Sequence, residues 1–318
     1  INIFAKELCD LYNGKEVTPS TIDYIDYALS EKLNNEDKEF WVSQFSNGIP
    51  LLNMPTEFER PNIKNFEGDN IYGKISNVKQ INELCKNLNV TPYMFLLSCF
   101  YILLYKYTMQ NDIIIGTPVV GRDNPKLADV IGMFVNTLVL KQNIQSTNKF
   151  SDFLTMVKNT CINSFTHQTY PFDELVKDLN VVRDPSRNAM FDVMFIYESG
   201  GRPEFKVKDL DVEYLIPENK TAKFDFSLEI TPSNDSFDIR LEYSKQLYSK
   251  TFMENLLNYY TNIINKVIEN TDIQIAKISM LTEVPYIYPQ LDYPKKLRII
   301  DLFEKQVYET PDKTALVF

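Results

Sequence analysis

The stretch "VIGMFVNTLVLK", Val130 to Lys141, holds an amide and a hydroxyl, Asn136 and Thr137, inside an otherwise apolar run. Left unpaired in an apolar setting, such groups cost about 1–3 kcal/mol each. A hydrogen-bonded core would satisfy them, and so would a lined cavity. The second half, "FVNTLVLKQ", reads as a strand. Its upstream neighbour "DIIIGTPVVGR" is a continuous β-branched run broken by Gly116 and Pro118, the pattern of a buried strand leading into a turn.

Before these strands, "NVTPYMFLLSCFYILLYKYT" begins with Thr91 as a cap and Pro92 as the first helical residue. That helix is apolar nearly all round and should be buried on both sides. Upstream, "IYGKISNVKQINELCKNLN" reads as a strand and a helix, "LLNMPTEFERPNIKNFEG" as an irregular crossing, and "NEDKEFWVSQF" as a helix. The chain opens on "INIFAKELCDLYNG", which puts Ile1, Ile3, Phe4, Leu8 and Leu11 on one helical face and ends at Gly14. No residue before Ile1 supplies an N-cap, which suggests a cut from a longer protein.

After the strands, "FSDFLTMVKNTCINSFTHQ" and "PFDELVKDL" are helical, the second with Pro171 at its first position. "FDVMFIYE", "LDVEYLIPE", "KFDFSLEITPS" and "FDIRLEYSKQLY" are strand-like, and "KTFMENLLNYYTNIINKVIEN" is a long amphipathic helix. "TDIQIAKISMLTEVPYIYPQLDYPKK" has linker composition, with apolar residues that suggest contact with a domain surface. "LRIIDLFEKQVYETPDKTALVF" reads as a helix, a Pro-Asp turn and the start of a strand. Alternating strands and helices, with consecutive strands near the end, predict an α/β or layered α+β fold with a mixed central sheet flanked by helices.

Composition narrows the function. The 318 residues are 44% hydrophobic and 24% charged, enough for one large core or two smaller ones. The net charge is −10 and the basic residues are scattered, so nucleic acid is excluded as a partner. Ser98 and Lys106 interrupt "YMFLLSCFYILLYKY", whose apolar part falls short of the roughly 20 residues of a membrane span. Cys9, Cys85, Cys99 and Cys161 lie far apart and predict reduced thiols in a cytoplasmic protein. With one histidine, His167, and no clustered cysteines, no metal site is expected. Gly116 and Gly121 belong to no phosphate-binding motif. Glu57 and Glu59 read as solvated surface charge.

Four segments in register, "NDIIIGTPVVGRD", "VIGMFVNTLVL", "HQTYPFDELV" and "RDPSRNAMFDVMF", resemble successive core motifs of nonribosomal peptide synthetase condensation domains. The tail "IIDLFEKQVYETPDKTALVF" resembles the opening of an adenylation domain. The resemblance implies a fold like chloramphenicol acetyltransferase and the coenzyme A-dependent acyltransferases, two lobes with the active site between them. It divides the chain into a remnant of the first lobe (1–28), the second lobe (29–272), a linker (273–296) and an adenylation start (297–318). The implied reaction joins an upstream acyl or peptidyl thioester to the amine of a downstream aminoacyl thioester. Both substrates ride on phosphopantetheine arms of partner carrier proteins, so the chain itself needs no cofactor. The implied partners are upstream and downstream carrier domains and the adenylation domain that follows in the same polypeptide.

The family's histidine motif, HHxxxDG, does not occur in this sequence. No catalytic residue is therefore assigned, and the chain alone is expected to be inactive. Asn136 and Thr137 face a substrate tunnel or tie strand to loop; both readings stay open. Arg122, Arg183 and Arg187 either help bind a phosphopantetheine arm or fix loops through bidentate bonds. His167, at a helix end, reads as a cap favoured by the dipole, and Pro171 and Phe172 as structural members of their motif. Lys223, Phe224 and Asp225 resemble the segment that crosses onto the first lobe, and would have little to rest on without it. Ala189-Met190 stands where the family has Pro-Leu. The "HQTYPFDELV" and "RDPSRNAMF" forms look like the subtype that accepts an L-configured upstream residue. The rivals are a non-catalytic docking platform and a free-standing coenzyme A-dependent acyltransferase.

Overall fold

The computed structural model describes residues 2–20, 22–122, 124–198, 205–213, 219–281 and 298–314. Its strands are β1 (Gly68–Ile75), β2 (Asp112–Val119), β3 (Asn136–Asn143), β4 (Val193–Tyr197), β5 (Phe226–Pro232) and β6 (Phe237–Ser244). They form one sheet in the order β1-β6-β5-β4-β2-β3, with β4 parallel to β2 and β5 and the other neighbours antiparallel. The helices are α1 (Asn2–Tyr12), α2 (Tyr24–Ser30), α3 (Asn35–Gln44), α4 (Val78–Asn87), α5 (Pro92–Thr108), α6 (Phe150–Thr166), α7 (Phe172–Asp178), α8 (Lys250–Glu269) and α9 (Ile299–Glu309).

Helix α5 is the centre of the core. The Thr91 hydroxyl accepts from the Met94 N–H at 3.3 Å, Pro92 opens the helix, and Met109 closes it in the left-handed region at φ 55°. Every residue from Met94 to Tyr105 is buried. Each large apolar side chain there contributes about 1.5–3 kcal/mol by leaving water. The polar atoms in this run have partners: Ser98 Oγ donates to the Met94 carbonyl at 2.7 Å, and Tyr101 Oη to the Leu140 carbonyl at 2.8 Å. Helix α5 lies between α6, which covers β3, and α8, which covers β1 and β6.

Sequence pattern separates the half of the sheet around β2 from the half around β6. Ile113, Ile114 and Ile115 of β2 are all buried, whereas β6 alternates buried Phe237, Ile239, Leu241 and Tyr243 with more exposed Asp238, Arg240 and Glu242. The side chain of Arg240 pairs across the ladder with Glu229 of β5. This is the arrangement of a sheet face that meets water.

Three expectations are corrected and one element is new. The opening helix forms, but it buries its small residues Ala5 and Cys9, while Phe4, Leu8 and Leu11 stay about half exposed. "LDVEYLIPE" is no strand over 210–213, and its remainder lies outside the described residues. Pro171 is the residue before α7 rather than its first, with an extended backbone at ψ 135°. Helix α2 had no counterpart in the sequence reading; Asp23 caps it by accepting from the Asp26 N–H at 2.8 Å.

Residues up to Thr282 form one compact unit, and those from Glu283 a second. In the first, the start of the segment with linker composition is built into the body. The N–H groups of Ile275 and Ala276 donate to the carbonyls of Asn148 and Ser146, both at 2.9 Å, and Ile275 and Ile278 are buried. Lys106 Nζ adds a bond to the Ala276 carbonyl at 3.0 Å. In the second unit the described part is α9 and the turn after it; the rest of the expected linker, 282–296, and the expected strand at 315–318 lie outside the described residues. Among the described residues no single helix is long and apolar enough to cross a membrane.

Candidate functional site

Asn136 opens β3 with its side-chain amide hydrogen-bonded at both ends. Its Nδ2 donates to the carbonyls of Gln168 at 2.9 Å and Tyr170 at 2.7 Å, and its Oδ1 accepts from the N–H groups of Thr137 at 2.8 Å and Phe172 at 3.2 Å. All four partners are main-chain atoms. The amide therefore clamps the loop between α6 and α7 onto the end of the sheet. Thr137 is half-buried beside it, in register with Pro118 of β2.

A pocket of about 340 Å³ opens at this rim, between the loop after β2, the start of β3, the loop before α7, and α2. Tyr24, Tyr27 and Phe134 form its aromatic wall, with ring centroids 4.8–6.2 Å apart. Gly121 turns the loop at φ +64°, where a Cβ would sit 2.0 Å from the Phe134 carbonyl oxygen, so only glycine fits. Two apolar side chains of the lining stand exposed, Met133 and Val135.

Two of the three arginines are committed to the fold. Arg122 Nη1 donates to the carbonyls of Leu127 and, at 2.7 Å, Val130, and its guanidinium lies 4.2 Å from the Phe134 ring centre. Arg187 Nη1 binds the Asp192 carboxylate at 2.5 Å and the Leu52 carbonyl at 3.2 Å. These donors go to loops, and Arg183 is exposed on the surface. The geometry thus favours the loop-fixing reading for Arg122 and Arg187.

Asp225 sits just before β5 and is buried against Arg60, which also reaches the Ser186 carbonyl at 3.1 Å. Asp192, just before the parallel strand β4, accepts through its carbonyl from the Asp225 N–H at 2.8 Å. Burial, reinforced by the Asp225 charge, pushes the Asp192 carboxyl up from the usual carboxylate range. The residues before each aspartate, Phe191 and Phe224, stack at 5.4 Å. Two Phe-Asp steps, each just before one of two adjacent strands, thus face each other, charges with charges and rings with rings. Phe191 also fills the space where a Cβ on Gly116 would fall 2.1 Å from its ring, and its other neighbour is Phe172, at 5.6 Å. The Lys223–Asp225 segment, expected to have little to rest on, rests on Arg60 and Phe191. Lys64 also donates to the Lys223 carbonyl.

His167 ends α6 and belongs to a different contact. Its Nδ1 lies 2.7 Å from Asp37 Oδ1 of α3, its ring stacks on Phe40 at 4.1 Å, and its carbonyl accepts from Trp41 Nε1 at 2.8 Å. These bonds dock α3, and His167 does not line the rim pocket. Among the described residues, no group of three or more histidine, cysteine or acidic side chains could hold a metal.

Tyr24, Tyr27 and Glu31 line the pocket, yet sequence reasoning missed them because α2 went unread. The available signal was Asp23 as a cap followed by aromatic residues three apart. Asp37 was missed because its partner lies 130 residues away.

The family profile described as "Condensation domain" matches residues 1–286. Tyrocidine synthase 3 of Brevibacillus parabrevis is 35% identical over 99% of the chain, and bacitracin synthase 2 of Bacillus licheniformis 36% identical over all of it. The chain spans only 5% and 13% of those relatives' lengths. Among solved structures, a four-domain nonribosomal peptide synthetase bound to AMP and glycine superposes with TM-score 0.80 at 21% identity, covering 99% of this chain and 27% of that one. The X-domain from teicoplanin biosynthesis also gives 0.80, at 17% identity, covering 88% and 68%. The chain belongs to the condensation-domain family.

Proposed function

We propose that this chain is the second lobe of a condensation domain whose parent synthetase forms a peptide bond between two carrier-bound thioesters. The observation that carries the reading is the family match over residues 1–286 together with an open, aromatic-walled pocket at the rim of β2 and β3. In the reaction the downstream amine attacks the upstream thioester carbonyl, a C–N bond replaces the C–S bond, and the upstream pantetheine leaves as a thiol that takes the proton. A thioester is already activated, so the protein mainly aligns two arms and manages one proton. The pocket rim and the Asn136 clamp supply alignment. The only histidine is engaged with Asp37 and away from the pocket, so no imidazole of this chain handles the proton there. The chain by itself is therefore inactive.

The same reading assigns residues 1–28 to the end of the first lobe, 273–296 to the linker and 297–318 to the adenylation start. Carrier domains on either side and the adenylation domain are the partners, their phosphopantetheine arms carrying the substrates. The free, buried state of all four cysteines agrees with a reducing, cytoplasmic setting. The test is a condensation assay of the isolated chain with carrier proteins loaded as acyl donor and aminoacyl acceptor. No product above background is expected, and robust product would overturn the assignment.

A further inference from the structure

We propose that Glu31 makes the rim pocket selective for a substrate carrying a positively charged side chain. The inference rests on reading this pocket as part of the condensation cleft. Among the described lining residues Glu31 is the one charged side chain. It follows α2 at the carbonyl end of the helix, where the backbone's own partial charge is negative. Its Oε1 accepts from Tyr27 Oη at 2.9 Å, which aims the carboxylate along the aromatic wall. No lysine or arginine pairs with it among the described residues.

The other polar groups of the lining are mostly spent within the protein. The Asn136 amide is saturated by main chain. Thr169 Oγ1 donates to Asp37 at 2.5 Å, Tyr24 Oη to the Met133 carbonyl at 2.9 Å, and Asn124 Oδ1 accepts from the Lys126 N–H at 3.0 Å. Arg122, beside the wall, is held over Phe134 with its donors on loop carbonyls. Tyrosine faces beside a carboxylate form the usual recognition set for an alkylammonium or guanidinium. An attacking α-amine must be unprotonated. A carboxylate that holds a cation therefore suits the nitrogen that does not react, on the side chain.

The test titrates the full chain, ¹³C-labelled at methionine methyls, and follows Met133 at the pocket mouth. The probes are Nα-acetyl-lysine N-methylamide, its neutral isostere Nα-acetyl-norleucine N-methylamide, and norleucine N-methylamide, whose only charge is the α-ammonium. The lysine probe should bind about fivefold more tightly than the neutral one at low salt, the scale of an exposed ion pair. The α-ammonium probe should gain nothing, and Glu31→Gln should erase the difference. Equal binding of lysine and neutral probes, a gain that survives in Glu31→Gln, or a preference for the α-ammonium would each overturn the proposal. If all probes shift Met133 alike, the pocket stands and the charge selectivity falls. If none shifts it, the reading of the pocket falls too.

Discussion

Asn136 binds four main-chain atoms across three segments, and its replacement separates them. Asn136→Ala should cost about 2–3 kcal/mol in urea denaturation, since two N–H groups and two carbonyls lose their partner at once. Asn136→Asp keeps the shape yet turns a carboxylate toward the Gln168 and Tyr170 carbonyls, so it should destabilise at least as much. A tunnel residue with no clamp function would show neither effect. The next loop bond gives a pH-dependent prediction. Hydrogen bonds from Lys38 and then Tyr170 hold the Asp178 carboxyl below its usual range. Its stabilisation is present at neutral pH and lost as pH falls through the depressed value, because only the unfolded chain takes up the proton first. Asp178→Asn should thus be less stable than wild type at pH 7 and converge with it in strong acid, as denaturation midpoints across pH 2–7 would show. Of these residues, Asn136 announced itself by its apolar setting, whereas nothing local in "DKEFW" or "HQTY" reveals the Asp37–His167 pair. Pairing across 130 residues is a property of the fold.

At the scale of elements, legibility follows burial. Helix α5 and strands β2, β3 and β6 were readable because a core imposes a period on the sequence, and α5 also carries its Thr-Pro cap. Helix α2 escaped because seven residues with no buried member impose none. "LDVEYLIPE" misled for the opposite reason, since alternation without a partner strand makes no ladder over 210–213. The contact of β2 with the segment before β4 gives a prediction at this scale. Gly116→Ala would drive a methyl into the Phe191 ring and should cost about 1–3 kcal/mol. Phe191→Leu in the same chain should recover part of that loss, measured as a double-mutant cycle. Additive losses would mean that the ring is not what excludes the side chain.

On the scale of the whole molecule, the apolar face of α1 is the plainest departure from a finished surface. Phe4, Leu8 and Leu11 are exposed while the same helix seats Ala5 and Cys9. Changing Leu8 and Leu11 to Gln should alter stability by no more than about 0.5 kcal/mol, as for other exposed positions. The change should lower the binding of a hydrophobic dye; a large loss of stability would show that the face is packed in solution. The fold class, the mixed sheet and the family were legible in the sequence, because the motifs lie where strands and loops meet. The pocket was not, since its wall combines α2 with loops about a hundred residues away.

The bonds from Ile275, Ala276 and Lys106 carry one more consequence. A chain leaving the body after α8 could have swung freely from the helix end, but here it is stitched down as far as Met280, whose carbonyl accepts from Asn262 Nδ2 of α8 at 2.9 Å. Any domain that follows is moored at that seam, and its leash is measured from there.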